Sequence, residues 1–259
     1  MFSTTSRFLA IATFLVSGVL ALPTLPTLET NGTSALLEQR AQAVYTTCRI
    51  PGKVVALTFD DGPYVYETTL VNYLNSQGVK ATFFLNGNNY DCIYGQAASV
   101  KHLYSSGHEI GSHTWDHPEL TSLSNAQITS ELTRINQAIV YILGVKPRYF
   151  RPPYGDINGN IANLVAAQGQ IPVTWNFDSG DSVGATTAQS ITSYQNWIKT
   201  GKSLIALNHE TEPGTVNTVV KTVVPLLKAA GYRFVTISQC LNLGSSYVTP
   251  AGPKGPGHC

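Results

Sequence analysis

Five short polar stretches carry the groups that could activate water and hold a metal ion. Thr58-Phe59-Asp60-Asp61-Gly62-Pro63 sets two adjacent carboxylates at the end of an apolar run, just before a Gly-Pro turn. Neighbouring side chains within a strand point to opposite faces, but at a strand end both can reach one site. Read alone, Asp-Gly and Gly-Pro are also ordinary turn signals. Ser112-His113-Thr114-Trp115-Asp116-His117 holds two histidines four residues apart. If this segment coils, both imidazoles share a face and can grip one metal ion, although an isolated H-x-x-x-H pair is often incidental. Two histidines plus one aspartate form a set with open positions for water and substrate, which is a catalytic arrangement and not a closed structural one.

Three further stretches follow. Arg151-Pro152-Pro153-Tyr154-Gly155 offers a cation able to pair with a carboxylate. Its two prolines lack N–H groups, so the N–H of Tyr154 is the first free donor after them. As a bland alternative, it is a rigid loop with a surface arginine. Trp175-Asn176-Phe177-Asp178-Ser179-Gly180-Asp181 adds two carboxylates three residues apart, and Leu207-Asn208-His209 adds a third histidine. His102, His108 and His258 read as structural or surface residues.

These stretches need elements to carry them. Strand-type runs are expected at residues 54–59, 81–85, 109–112, 149–151, 171–175, 203–207 and 233–237. Helices are expected at 66–77, 97–106, 125–143, 159–168, 187–199 and 216–230. The third is the best marked, with Ser124 as cap and Ile128, Leu132, Ile135 and Ile139 at helical spacing. Strand–helix alternation along the chain predicts an α/β fold with a parallel sheet and its site at the strand C-termini. About seven strands in a single domain suggest a barrel or near-barrel. Every stretch above follows one of these strands.

Composition narrows the class. The 259 residues include 16 Lys+Arg against 15 Asp+Glu, a net charge of +1, with 12% charged and 43% hydrophobic residues. That excludes a disordered polyelectrolyte and a strongly basic nucleic-acid binder. Arg7 followed by the apolar run 8–22, with Val19-Leu20-Ala21 as a cleavage site, reads as a secretion signal over 1–21; the run is too short for a membrane anchor. Residues 22–47 read as a leader or propeptide-like arm, with processing near Arg40 left open. Asn31 carries the only glycosylation sequon, 48–243 read as one domain, and 244–259 form a Gly/Pro-rich tail without a lipid-anchor signal. Cys48, Cys92, Cys240 and Cys259 suggest two disulfides in a secreted chain, with three connectivities open. No C-x-x-C pair occurs, which argues against a thiolate zinc site.

Taken in order, Thr-Phe-Asp-Asp-Gly-Pro, His-Thr-x-x-His, Arg-x-Pro-Tyr, Asp-x-x-Asp and Leu-x-His resemble the polysaccharide deacetylases of carbohydrate esterase family 4, the NodB-like domain. The resemblance spans about Cys48 to Leu243. Gly87-Asn88-Asn89-Tyr90, the secretion signal and the placement of Cys48 and Cys240 resemble the secreted fungal chitin deacetylases in particular. A Cys48–Cys240 disulfide follows from that resemblance, with Cys92 and Cys259 as a second pair. The resemblance implies a distorted (β/α) barrel and one divalent metal, usually Zn2+, with Co2+ as the alternative. Asp61, His113 and His117 would hold the metal, Asp60 would be general base and Arg151 would orient it. Tyr154 would donate its backbone N–H to the oxyanion, His209 would be general acid, and Asp181 or Asp178 would tune His209. Trp175 and Leu207 would line the acetyl pocket. Where the family often has an aromatic residue after the second Asp of its fourth motif, this chain has Ser182, so the pocket wall differs there.

The expected activity is therefore removal of N-acetyl groups from chitin or its oligomers by a secreted monomer that engages no nucleic acid and no membrane. The same site could instead deacetylate acetylxylan or another O-acetylated glycan. Gly180-Asp181-Ser182-Val183-Gly184 also matches a serine-esterase nucleophile elbow. No Asp follows Asp181, however, and the triad would have to use Glu210 or Glu212 with His258. A non-catalytic glycan-binding protein on the same scaffold is the other rival, but no metal ligand or base is missing.

Overall fold

The computed structural model describes residues 43–250 and Cys259. The secretion signal, Asn31, most of the leader arm and His258 lie outside the described residues. Ten strands alternate with seven α-helices. The strands are β1 (Val54–Asp60), β2 (Thr82–Leu85), β3 (Glu109–Ser112), β4 (Lys146–Pro147), β5 (Tyr149–Phe150), β6 (Ile171–Pro172), β7 (Phe177–Asp178), β8 (Leu204–His209), β9 (Arg233–Phe234) and β10 (Tyr247–Val248). The helices are α1 (Glu67–Ser76), α2 (Ala97–Ser105), α3 (Asn125–Leu143), α4 (Gly159–Ala167), α5 (Thr187–Thr200), α6 (Val220–Ala229) and α7 (Ile237–Leu241).

Seven strands pair in parallel in the order β6-β5-β3-β2-β1-β8-β7, and β9 adds to β1. No ladder joins β6 to β7 among the described residues, so the sheet curls into a distorted, incompletely closed (β/α) barrel. All seven residues of β1 are buried, and their side chains alternate between two apolar cores. Val55, Leu57 and Phe59 pack outward under the helices, whereas Val54 and Ala56 point inward with Phe84, Tyr149, Val173 and Ile205. The same period carries Thr58 and Asp60 onto the inner face. The inner face thus turns from apolar to polar toward the strand C-termini.

Several elements differ in extent from expectation. The run 171–175 pairs only at Ile171–Pro172, with Val173 bridged to Tyr45. Phe177–Asp178, expected as loop, forms a short strand on β8. The strand expected at 233–237 stops at Phe234, because Gln239 Oε1 accepts the Thr236 N–H and starts α7. That T-x-x-Q spacing is a helix-start signal present in the sequence. The helix expected at 216–230 begins with a wide π turn at Thr215–Val219 before α6. Pro225 inside α6 lacks an N–H, and the Lys221 carbonyl that it would have bonded accepts the Tyr73 hydroxyl instead at 3.2 Å. Helix α3 has the expected bounds and a reciprocal Ser124–Gln127 cap.

Two disulfides, Cys48–Cys240 and Cys92–Cys259, cross-link segments 192 and 167 residues apart. In the stretch expected to be tail, Tyr247–Val248 pair antiparallel with Lys146–Pro147. Among the described residues, no helix is long and apolar enough to cross a membrane.

Candidate active site

The strand register assembles the site. Asp60 ends β1 directly beside His209 at the end of β8, so both side chains emerge on the inner face. The next residue, Asp61, would point away in a regular strand. Instead its φ is 72°, in the left-handed region, and this reversal keeps it at the same opening. Thr114, His117 and Tyr154 share that conformation, with φ of 74°, 55° and 60°. Such residues cost of order 1–3 kcal/mol each and persist only where surrounding contacts over-determine them. Here Asn86 Nδ2 donates to the carbonyls of His113 and Thr114, and Glu131 accepts the N–H groups of Trp115 and Asp116 at 2.9 Å each. Thr114 Oγ1 accepts the His117 N–H at 3.1 Å.

Asp61, His113 and His117 offer one ligand atom each, all within 4.8 Å of one another. Asp61 Oδ1 lies 3.2 Å from His117 Nε2 and 3.6 Å from His113 Nε2. It is buried and has no hydrogen-bond partner among the described residues. His113 Nδ1 is 2.7 Å from the Arg151 carbonyl, which can only accept. The proton therefore sits on Nδ1, and Nε2 presents a lone pair. Burial, with His117 beside it, holds the His113 pKa well below its ordinary value, and burial also lowers His117. A lone pair on neutral imidazole facing a carboxylate oxygen is repulsive unless a cation lies between them. Ligands about 2.0–2.1 Å from a tetrahedral zinc stand about 3.3 Å apart, near the two distances observed. The donor set fits a divalent metal.

Asp60 is buried against Arg151, which is itself fully buried inside the barrel. Arg151 Nη1 donates to Asp60 Oδ1 at 2.8 Å and to Thr58 Oγ1, and Nη2 donates to the Thr174 carbonyl at 3.1 Å. The guanidinium stacks 4.3 Å from the Phe84 ring centroid. Burial lifts the Asp60 pKa to about 6, with the charge of Arg151 opposing the rise, and burial also raises Asp61. His209 Nδ1 bonds Asp181 Oδ1 at 2.7 Å, while Asp181 Oδ2 accepts the His209 N–H at 2.8 Å and the Thr215 hydroxyl at 2.7 Å. Burial disfavours the imidazolium. The Asp181 bond and the charges of Asp181, Asp60 and Asp61 outweigh burial, and the His209 pKa rises to about 9.

Asp60, Asp61, His113, His117 and His209 line one cavity of about 600 Å³, with Asn89, Tyr90, Tyr154, Trp175, Asp178, Ser182, Val183 and Leu207 on its walls, whereas Arg151 and Asp181 lie behind it. Asp181 is the carboxylate that holds His209. Asp178 is exposed and accepts the Gly180 N–H at 2.7 Å. Ser182 stands at the rim and bonds no described histidine, so the elbow-like sequence is not assembled as a triad there. Thr58, from the first motif, supports the site, and so do Asn86, Glu131 and Thr215, which stand in none of the five stretches. Only Glu131 left a trace, as an acid between Ile128 and Leu132 on the apolar stripe of α3.

The polysaccharide deacetylase family model matches residues 49–173. A chitin deacetylase from Pestalotiopsis sp. is 38% identical over 205 residues, 78% of this chain and 68% of that protein. A chitin deacetylase from Colletotrichum lindemuthianum is 34% identical over 204 residues, 75% of this chain and 81% of that protein. The solved structure of the Colletotrichum lindemuthianum enzyme superposes with a TM-score of 0.77 at 30% identity, covering 81% of this chain and 97% of that one.

Gly155 adjoins Tyr154 with φ of 72°, and a Cβ there would fall 2.7 Å from the Trp175 ring. Gly155→Ala is expected to destabilise the protein by about 1–2 kcal/mol in urea unfolding and to shift tryptophan fluorescence as Trp175 moves. Wild-type stability with an unchanged spectrum would contradict this packing.

Proposed function

The chain belongs to the polysaccharide deacetylase family, carbohydrate esterase family 4, and from that premise we propose that it removes N-acetyl groups from N-acetylglucosamine residues of chitin or chitooligosaccharides. The observation that carries the reading is the unpartnered Asp61 oxygen facing two imidazole Nε2 atoms, beside Asp60 and His209 in one cavity. Relatives named as chitin deacetylases support the substrate.

Asp61, His113 and His117 would hold one divalent metal, Zn2+ by their chemistry, with Co2+ as the alternative. When bound, such an ion polarises an acetyl carbonyl and lowers the pKa of water. Asp60 takes the proton of the attacking water. Its pKa near 6 makes it a stronger base than an ordinary aspartate, and Arg151 keeps it ionised and fixes its free oxygen toward the cavity. The Tyr154 N–H donates to the oxygen that gains charge as the carbonyl carbon becomes tetrahedral. Loss of one such donor costs about 3–4 kcal/mol in acyl transfer. His209 gives its Nε2 proton to the departing amine. Asp181 holds the opposite nitrogen and keeps the ring protonated at neutral pH. Trp175 and Leu207 enclose the acetyl methyl, and Asp178 meets the sugar at the rim. The two disulfides support a secreted enzyme working outside the cell or in the cell wall; that it works as a monomer is part of the proposal.

The test is acetate release from N-acetylglucosamine oligomers of increasing length, with chelator and then with zinc or cobalt restored. Release that chelator abolishes and metal rescues is expected. Release from acetylated xylan alone would move the substrate to O-acetylated glycans. Release indifferent to chelator would favour Ser182, and metal-loaded protein inert on every glycan would favour binding without catalysis. Asp60→Asn is expected to bind zinc as wild type does while turnover falls at least about 100-fold; near-normal turnover would exclude Asp60 as base. Asp181→Asn removes the main group sustaining the His209 proton. The alkaline limb of kcat should then move down by about one pH unit or more, and an unmoved limb would exclude His209 as the acid.

A further inference from the structure

Two glutamates that the reaction does not use lie together behind the metal-site turn. Glu67 on α1 and Glu210 just past β8 are both fully buried, and neither pairs with a described lysine or arginine. Glu67 Oε1 accepts from the Ser99 hydroxyl, and Glu210 Oε1 accepts the Tyr64 N–H at 3.2 Å. The Oε2 atom of each is buried and has no hydrogen-bond partner among the described residues. Burial without a neighbouring cation shifts both carboxyls toward the protonated form.

Glu210 also straddles Asp61. Its backbone N–H donates to the Asp60 carbonyl at 3.4 Å, and its carboxyl holds the Tyr64 N–H on the far side. Between these anchors the carboxyl lies on Gly62, where a Cβ would come within 1.8 Å of Oε1. Asp61 is therefore kept in its left-handed conformation by one residue that grips the chain before and after it.

We propose that Glu210 is a positioning residue for Asp61. The proposal rests on the reading of Asp61 as a metal ligand.

The experiment measures the zinc affinity of wild type, Glu210→Ala and Glu210→Gln by competition with a chromogenic chelator, with urea unfolding of the metal-free proteins to check that each is folded. Glu210→Ala is expected to weaken zinc about 10–100-fold. Glu210→Gln keeps an Oε1 acceptor for the Tyr64 N–H and should bind zinc nearly as wild type does. Folded Glu210→Ala with wild-type zinc affinity would overturn the positioning role. Glu210→Gln with zinc weakened about 10-fold or more would overturn it too, and decides the point even if Glu210→Ala does not fold. Wild type that binds no zinc would instead sink the metal reading of Asp61, and with it the positioning claim.

Discussion

A guanidinium sealed inside the barrel organises this protein. Arg151 leaves β5 and spans the polar upper part of the interior. Its side chain bonds Thr58 and Asp60 from β1 and the Thr174 carbonyl after β6. Its own carbonyl fixes the tautomer of His113 beyond β3. A buried cation is tolerable only when paired and hydrogen-bonded, and the partners that satisfy it belong to the candidate reaction centre. The aromatic rings of Phe84 and Trp175 flank the same group. Removing that charge would leave Asp60 as an isolated buried carboxyl and release the residues it ties together.

The second constraint is backbone conformation. Asp61, Thr114, His117 and Tyr154 occupy the left-handed region without being glycine, and three of these four side chains or N–H groups face the cavity. None of these conformations is favoured locally. Around Asp61, Thr114 and His117, the side chains of Asn86, Glu131 and Glu210 bond the neighbouring backbone. Rigid β1, β3 and β8 anchor the segments, and the strain is confined to the turns that follow. This division explains how a regular sheet can present adjacent residues such as Asp60 and Asp61 to one opening.

The electrostatics divide the ionisable groups into complementary roles. Burial holds the His113 and His117 imidazoles neutral and raises the Asp60 pKa to about 6. A carboxylate on Nδ1 drives His209 the other way and favours its protonated form. Two histidines four residues apart and a third nearly a hundred residues later thus take opposite protonation states. Their partners, and not their intrinsic chemistry, set the difference.

Much of this was legible in the residues alone. Alternating apolar runs fixed the parallel α/β class, because period-two and period-3.6 patterns record which face of each element is buried. The Ser124 cap and the stripe through Ile128 and Ile135 gave α3 its observed bounds. The motifs marked Asp60, Asp61, His113, His117, Arg151 and His209, since chemistry demands those residue types at strand ends. Tertiary structure decided the rest. The β1–β8 register set Asp60 beside His209, and the fold of the 178–181 turn chose Asp181 over Asp178 as the partner of His209. The supports Asn86 and Thr215 could not be picked out, and the supporting roles of Thr58, Glu131 and Glu210 could not be read, because each acts across a gap of many residues and only the folded chain brings the partners together. Local sequence encodes which face is buried and which groups can react; which groups meet is a long-range property that only closure of the sheet determines.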